Sequence, residues 1–295
     1  MKLLALRIAM RLFSWISPGA AQFIAPPLAA VLWYLSPRKR RVTRLNLRAC
    51  YPDMDPRQRK RIGRDSMTHY VRGVFEAGML WHWPVEKISG YFDEPVGQDA
   101  FNTAISDGSG LILAAPHFGA WEILNLYLMR FGMGAVLYKP GKYPEIDAAL
   151  LEKRRRGGSQ MVPANPSGLR TMFKLLRDGQ SVALLPDQEP TRGEGQFAPF
   201  FGVEALTGVL LPRMARRAGV PVFFAVCASL KEGRYRVHMF KADDSIHSDH
   251  IRIALTAVNQ GIEKCIAVDT SQYLRAYKRF RTRREGDPPF YKRKA

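Results

Sequence analysis

From residue 91 onward the chain alternates short apolar runs with helical periodicities, and this alternation restricts the fold more than any other feature of the sequence. Runs suited to buried strands lie at 111–115 (LILAA), 135–138 (AVLY), 181–185 (SVALL) and 220–226 (VPVFFAV). Helical patterns lie between and after them, at 120–130, 144–156, 167–177, 206–218 and 249–268. Strands that alternate with helices close most readily into a parallel sheet covered on both faces. The expectation is an α/β fold with a mostly parallel, mixed sheet flanked by helices. A turn signal at 231–234, ahead of 235–240, adds one antiparallel pair.

The first 90 residues follow a different rule. Residues 1–16 are apolar apart from Lys2, Arg7 and Arg11, and no small-residue cleavage site follows cleanly, so the stretch reads as retained. Residues 19–35 carry only Gln22 as a strongly polar side chain and run straight into Arg38, Lys39, Arg40 and Arg41. A spanning helix needs about 20 apolar residues. Pro26 and Pro27 interrupt this shorter one, and a proline inside a helix removes a donor and bends it. A shallow or re-entrant membrane anchor, a true span and a buried helical hairpin are all open. From Arg38 to Arg72, twelve Lys or Arg stand against Asp53, Asp55 and Asp65. Alone, such a run is a solvated helix face. Beside an apolar anchor it suits anionic head groups, at about 1 kcal/mol per basic residue close to a bilayer. These contrasts divide the chain into a membrane-anchoring segment at 1–35, a basic helical region at 36–90 with its main helix at 56–83, and an α/β domain at 91–295. The flanking arginines put the α/β domain on the cytoplasmic side.

The formal charge is +19, from 45 Lys and Arg against 26 Asp and Glu, which calls for a partner rich in negative charge. Nucleic acid is not expected, because no helix-turn-helix, zinc or RNA-binding signature is present. Anionic lipid and an acidic carrier protein remain. Cys50, Cys227 and Cys265 are far apart and form no CxxC, so neither a disulfide framework nor a metal site is expected.

The stretch 110–123 (GLILAAPHFGAWEI) carries the chemistry. An apolar strand ends at Pro116, His117 follows in the turn, and a helix starting near Gly119 holds Glu122 in its first turn. On one straight helix, residues five apart diverge by about 140°; with His117 ahead of the helix, the two side chains can face each other. A carboxylate so placed fixes the imidazole tautomer and stabilises the imidazolium formed when a hydroxyl is deprotonated. The plain alternatives are a satisfied turn histidine and a glutamate that favours the helix dipole. Ligand sites in open α/β sheets lie beyond the carboxyl ends of strands, which favours the chemical reading. A serine hydrolase is disfavoured, since there is no GxSxG and Ser109 precedes the strand.

The residues 117–122 (HFGAWE) match the HxxxxD/E motif of the glycerolipid acyltransferase superfamily. Together with NLRACYP at 46–52, YKP at 138–140, LLPDQEP at 184–190, FAPFFG at 197–202 and QYLRAYKRFRTRREG at 272–286, the chain resembles, over nearly its whole length, the late lipid A biosynthesis acyltransferases of Gram-negative bacteria. The resemblance implies a glycerolipid acyltransferase-like fold and transfer of an acyl chain from acyl carrier protein to a hydroxyl of a lipid A precursor. The expected place is the cytoplasmic face of the bacterial inner membrane. It implies His117 and Glu122 as the catalytic dyad, with Arg154 and Asp187 binding substrate. Arg154 would hold a phosphate or polarise the acyl carbonyl, and Asp187 would orient that arginine or the acceptor. Lys139 stands where the family often has arginine, and Arg275, Ala276 and Tyr277 stand where it has an aromatic and a histidine, so another glycolipid or a glycerophospholipid remains open as acceptor. Coenzyme A likewise remains open as carrier. A thioester is already activated, so no cofactor is expected. The basic residues at 154–156 and 275–284 are expected to bind the carrier or acceptor phosphates, and the phenylalanines of 197–201 either line the acyl site or belong to the core.

Overall fold

A computed structural model of the protein describes residues 2–191 and 193–292; Met1 and 293–295, the outer ends of the segments expected at 1–35 and 91–295, lie outside the described residues. Helices lead: α1 (Lys2–Phe13), α2 (Pro18–Leu35), α3 (Pro37–Cys50), α4 (Pro56–His82), and the shorter α5 (Val85–Ser89) and α6 (Gln98–Ser106). Local chemistry sets their starts. Ser17 caps α2 ahead of Pro18, and Asp55 caps α4 ahead of Pro56, its carboxylate accepting from the backbone N–H of Arg57 and Gln58.

The alternating part then runs β1 (Ile112–Ala114), α7 (Trp121–Leu128), β2 (Ala135–Tyr138), α8 (Pro144–Arg154), β3 (Gln160–Pro163), α9 (Pro166–Arg177) and β4 (Val182–Leu184). A hairpin follows, β5 (Gly195–Phe200) and β6 (Val203–Gly208), then α10 (Leu210–Ala218), β7 (Val222–Ser229), β8 (Tyr235–Lys241) and α11 (Ile251–Val268). The main sheet has the order β3-β2-β4-β1-β7-β8 and is parallel except for β8, which pairs antiparallel with β7. The α/β class and the mostly parallel sheet are as the sequence predicts.

Alternate strand residues separate two cores. Ile112, Ala114, Val222 and Phe224 face α9, α10 and α11, whereas Leu111, Leu113, Phe223 and Ala225 face α7, α6, α4 and Met10 of α1. The expected helix at 206–218 begins only at Leu210, because 206–208 complete β6. The phenylalanines of 197–201 are likewise on the hairpin and its turn, and Phe200 is buried in the core against α11. Of the two readings open for these phenylalanines, Phe200 takes the core one.

Pro26 and Pro27 do not end α2, which is helical throughout. Its small residues Ala21, Ala25 and Ala29, with Trp33, pack on Met67, Val71 and Phe75 of α4. The opposite face is apolar too and points outward: Phe23 is 83% exposed where Ala25 is 0%. Among the described residues no single helix is long and apolar enough to cross a membrane; α1 and α2 meet that test only as a pair, bent by 116°.

Candidate active site

β1 and β4 are neighbouring parallel strands at the centre of the sheet, with Ala114 in register with Leu184. Three residues beyond that pair, each chain segment has passed a proline, Pro116 or Pro186, and presents a polar side chain, His117 or Asp187. Equal offsets from a shared register bring the two together at the carboxyl edge. Asp187 Oδ1 lies 2.8 Å from His117 Nδ1, and Oδ2 accepts the backbone N–H of His117 at 3.0 Å. Only 3% of the Asp187 side chain is exposed, against 15% of His117. A buried carboxylate beside Nδ1 keeps the proton there and leaves the lone pair on Nε2. Gln188 Nε2 lies 3.1 Å from that nitrogen and donates to it in this tautomer.

The titration of the pair follows from this geometry. Burial alone would lower the His117 pKa, but the charge and hydrogen bond of Asp187, with Glu122 adding in the same direction, hold it above its ordinary value. Burial would raise Asp187; the charge and hydrogen bonds of His117 outweigh it and hold the carboxyl below the usual range.

Glu122 makes a different bond from the one its sequence position suggests. From the first turn of α7 it turns to Arg154 at the end of α8, accepting from Nε at 3.0 Å and from Nη2. Asn125, one turn further along α7, donates to the Arg154 carbonyl at 3.0 Å. α7 thus grips the end of α8 twice. The hydrogen-bond partners differ from those expected from sequence: Asp187, expected beside Arg154 or the acceptor, bonds His117, and Glu122, expected beside His117, bonds Arg154. The cause is that the β1–β4 register places Asp187 beside His117, while α8 ends against α7 and places Arg154 beside Glu122. Burial would lower the Arg154 pKa, but the Glu122 hydrogen bond and charge raise it, so this guanidinium stays charged. Trp121 joins the two pairs, its ring 5.0 Å from that of His117 and 5.8 Å from the Arg154 guanidinium carbon.

The turn that aims His117 is fixed from behind by the C-terminal segment and β7. Gly119 N–H donates to the Gln272 carbonyl, Ala120 N–H to that of Cys227, and Leu274 N–H to that of His117. Gly119 has φ +51, and a Cβ there would meet the Cys227 carbonyl, so glycine is required twice over. Gln272 is itself clamped to both backbone groups of Ser229. Asn46, in the NLRACYP stretch, donates to the carbonyls of Arg275 and Tyr277.

These contacts also correct the reading of the arginines at 275–284. Arg275 is 1% exposed, its guanidinium over the rings of Tyr51, Phe201 and Tyr273. Arg279 is 2% exposed and donates to the Leu206 carbonyl, Thr207 and Asn259. Arg156 donates to the carbonyls of Leu80 and Trp83. All three hold the fold. Arg281 and Arg284 remain at the surface, paired with Glu189 and Glu204. Lys139 follows β2 at the carboxyl edge and is exposed. Sequence reasoning missed Gln188, although the DQ pair was in view, because nothing in the sequence alone says which nitrogen of His117 the glutamine reaches. Among the described residues no three His, Cys, Asp or Glu come together as a metal site.

A family model for bacterial lipid A biosynthesis acyltransferases matches residues 4–282. The chain is 29% identical over 259 residues to the lipid A biosynthesis lauroyltransferase of Escherichia coli (strain K12), covering 86% of this chain and 83% of that one. It is 25% identical to the lipid A biosynthesis palmitoleoyltransferase of the same strain, over 91% and 87%. The phosphatidylinositol mannoside acyltransferase of Mycobacterium tuberculosis (strain CDC 1551 / Oshkosh) is 25% identical over 55% of this chain and 52% of its own length.

Proposed function

The chain belongs to the bacterial lipid A biosynthesis acyltransferases, and on that premise we propose that it transfers a fatty acyl group from acyl carrier protein to a hydroxyl of a lipid A precursor, with His117 as general base. The observation that carries this reading is the buried Asp187 on Nδ1, which leaves a lone pair on Nε2 at the carboxyl edge of the sheet. As the acceptor oxygen attacks the thioester carbonyl, Nε2 takes its proton. Collapse of the tetrahedral intermediate forms the ester and expels the thiolate, which takes the proton back from the imidazolium. Positioned proton transfer of this kind contributes roughly 10² to 10⁴ in rate. Asp187 stabilises the imidazolium between the two transfers.

Arg154 supplies fixed positive charge. Two of its nitrogens are held by Glu122, and Nη1, which has no hydrogen-bond partner among the described residues, serves the developing oxyanion or a phosphate of the acceptor. Gln188 occupies the position at Nε2 that the acceptor hydroxyl needs, so it yields when the acceptor binds.

The same reading puts the protein on the cytoplasmic face of the inner membrane through α1 and α2. The outward face of these helices carries Leu4, Ile8, Leu12, Phe23, Leu28, Val31 and Leu35, all exposed, next to the basic start of α3. Inserting such side chains is worth at most about 1.5–3 kcal/mol each. α2 lies along α4 through its inner face, so a span would have to strip that packing, and insertion of the outer face into one leaflet leaves it intact.

Incubation of the purified protein with an acyl carrier thioester and a lipid A precursor tests the reaction. The lipid should gain the mass of one acyl chain. No gain with any thioester donor, using folded protein, would reject the assignment.

A further inference from the structure

α9 and α10 lie side by side on the face of the sheet opposite α1 and α4. Between them is a recess of about 490 Å³, lined by Phe173, Leu210, Arg213, Met214, Arg216 and Arg217. Its floor is apolar and its rim is cationic. α9 adds Arg170, Lys174 and Arg177 at helical spacing on its exposed face. Arg216 pairs with Asp249 and Arg217 stands over the Phe173 ring at 5.0 Å; among the described residues no carboxylate pairs with Arg170, Lys174, Arg177, Arg213 or Arg217. Like charges one turn apart repel, and an acidic partner relieves that repulsion.

From this face we infer that α9 and α10 form the docking surface for the acidic carrier protein that brings the acyl thioester. The inference rests on the proposed thioester donor and adds the place where its carrier binds. A helix of the carrier sets an apolar side chain into the recess and its carboxylates against the rim. Connectivity supports the location: α9 leaves the carboxyl end of β3, and α10 runs into the amino end of β7, so both helices start at the edge that holds His117. Phe173 is seven residues past Pro166, roughly 10 Å down the helix at 1.5 Å per residue. A carrier bound there stands beside the site and outside it, as a thioester on a long flexible arm requires.

A bilayer fits this face poorly. The apolar surface is concave, and none of the exposed large hydrophobic side chains lies on α9 or α10, whereas most of them lie in the first 35 residues. The membrane and the carrier thus approach from opposite faces of the sheet.

The test is Lys174→Glu/Arg213→Glu in the full chain, two exposed positions away from His117, with Arg213→Lys as the conservative control. Binding of the unacylated carrier is measured by titration, and kcat and KM are measured with the acyl group on the carrier and on free pantetheine. The expected result is at least tenfold weaker carrier binding and a matching rise in carrier KM. Pantetheine thioester kinetics and Tm should stay unchanged, and Arg213→Lys should behave as wild type. Unaltered carrier binding would overturn the inference, as would equal losses with both donors. Weaker binding to anionic vesicles with normal carrier KM would assign the face to the membrane instead. A wild-type protein that binds the carrier but transfers from no thioester would refute the proposed reaction and leave the docking surface standing.

Discussion

Asp187→Asn separates the proposed relay from a merely structural hydrogen bond. Both carboxylate oxygens accept, one from the His117 backbone N–H at 3.0 Å and one from Nδ1 at 2.8 Å. An asparagine has one acceptor and one donor for these two places. With its oxygen on the backbone N–H, its NH₂ faces Nδ1, which must then accept; the proton moves to Nε2 and the base is lost. With its oxygen on Nδ1, two N–H groups face each other in a buried place, at about 1–3 kcal/mol, and the imidazolium lacks its counter-charge. Either arrangement removes most of the general-base contribution, so kcat should fall by roughly 10² to 10⁴. The pH profile gives a second readout. A base held above the ordinary histidine value by Asp187 makes the wild-type rate fall, on acidification, at a pH above 6.5. In Asp187→Asn the residual activity should persist to lower pH. Stability responds with both signs: the Asp187 share is present above the ordinary carboxylate range and lost as pH falls through its depressed pKa, and the His117 share is present below 6.5 and lost as pH rises through its raised pKa. The assay is transfer of labelled acyl groups by purified variants of matched Tm, across pH. A folded Asp187→Asn enzyme within threefold of wild-type turnover, with an unmoved acid limb, would refute the relay.

Three further outcomes follow from the same geometry. Glu122→Gln and Arg154→Gln should each lower kcat by roughly 10-fold or more, and the double variant should cost little beyond the worse single one, because one pair is broken; additive losses would show that the two act separately. Gln188→Ala should cost less than tenfold in kcat, since the side chain must leave before reaction, and should move the acid limb upward, since its donated N–H favours neutral imidazole; a hundredfold loss with normal folding would make Gln188 part of the chemistry. Phe23→Asp/Leu28→Asp should release the protein from membranes into a moderate salt wash that leaves wild type bound, because only the basic region then holds it; wild type released by the same wash would remove the inserted anchor.

The strands β1, β4 and β7 were legible because each is a continuous apolar run buried on both faces, and β2 because its four residues are an apolar run, although only Ala135 of it is fully buried. β3 was not: QMVP is four residues at the sheet edge, with Gln160 exposed and a proline at its end. The β5–β6 hairpin escaped because Pro199 reads as a loop former, and the helical periodicity of 206–218 extended backward into the strand residues 206–208. His117 was legible from its strand, turn and helix setting. Its carboxylate was not, because Asp187 is 70 residues away and Glu122 only five. A signal was present, since LAAPH and LLPD each place a polar residue directly after a proline at a strand end. Reading it required knowing that β1 and β4 are neighbours, which depends on sheet order and not on local pattern. The arginines of 275–284 misled for a related reason: a basic run reads as surface, yet Arg275 and Arg279 are paid for by carbonyls and aromatic rings inside the fold.

The central claim is that His117 Nε2 removes the acceptor proton, and His117→Ala tests it most directly. With purified protein of wild-type Tm, a labelled acyl carrier thioester and a lipid A precursor, the variant should lose at least roughly 10²-fold in kcat, with acceptor KM within a fewfold of wild type and no acyl-enzyme accumulating in either protein. Near-normal turnover by folded His117→Ala would contradict the account.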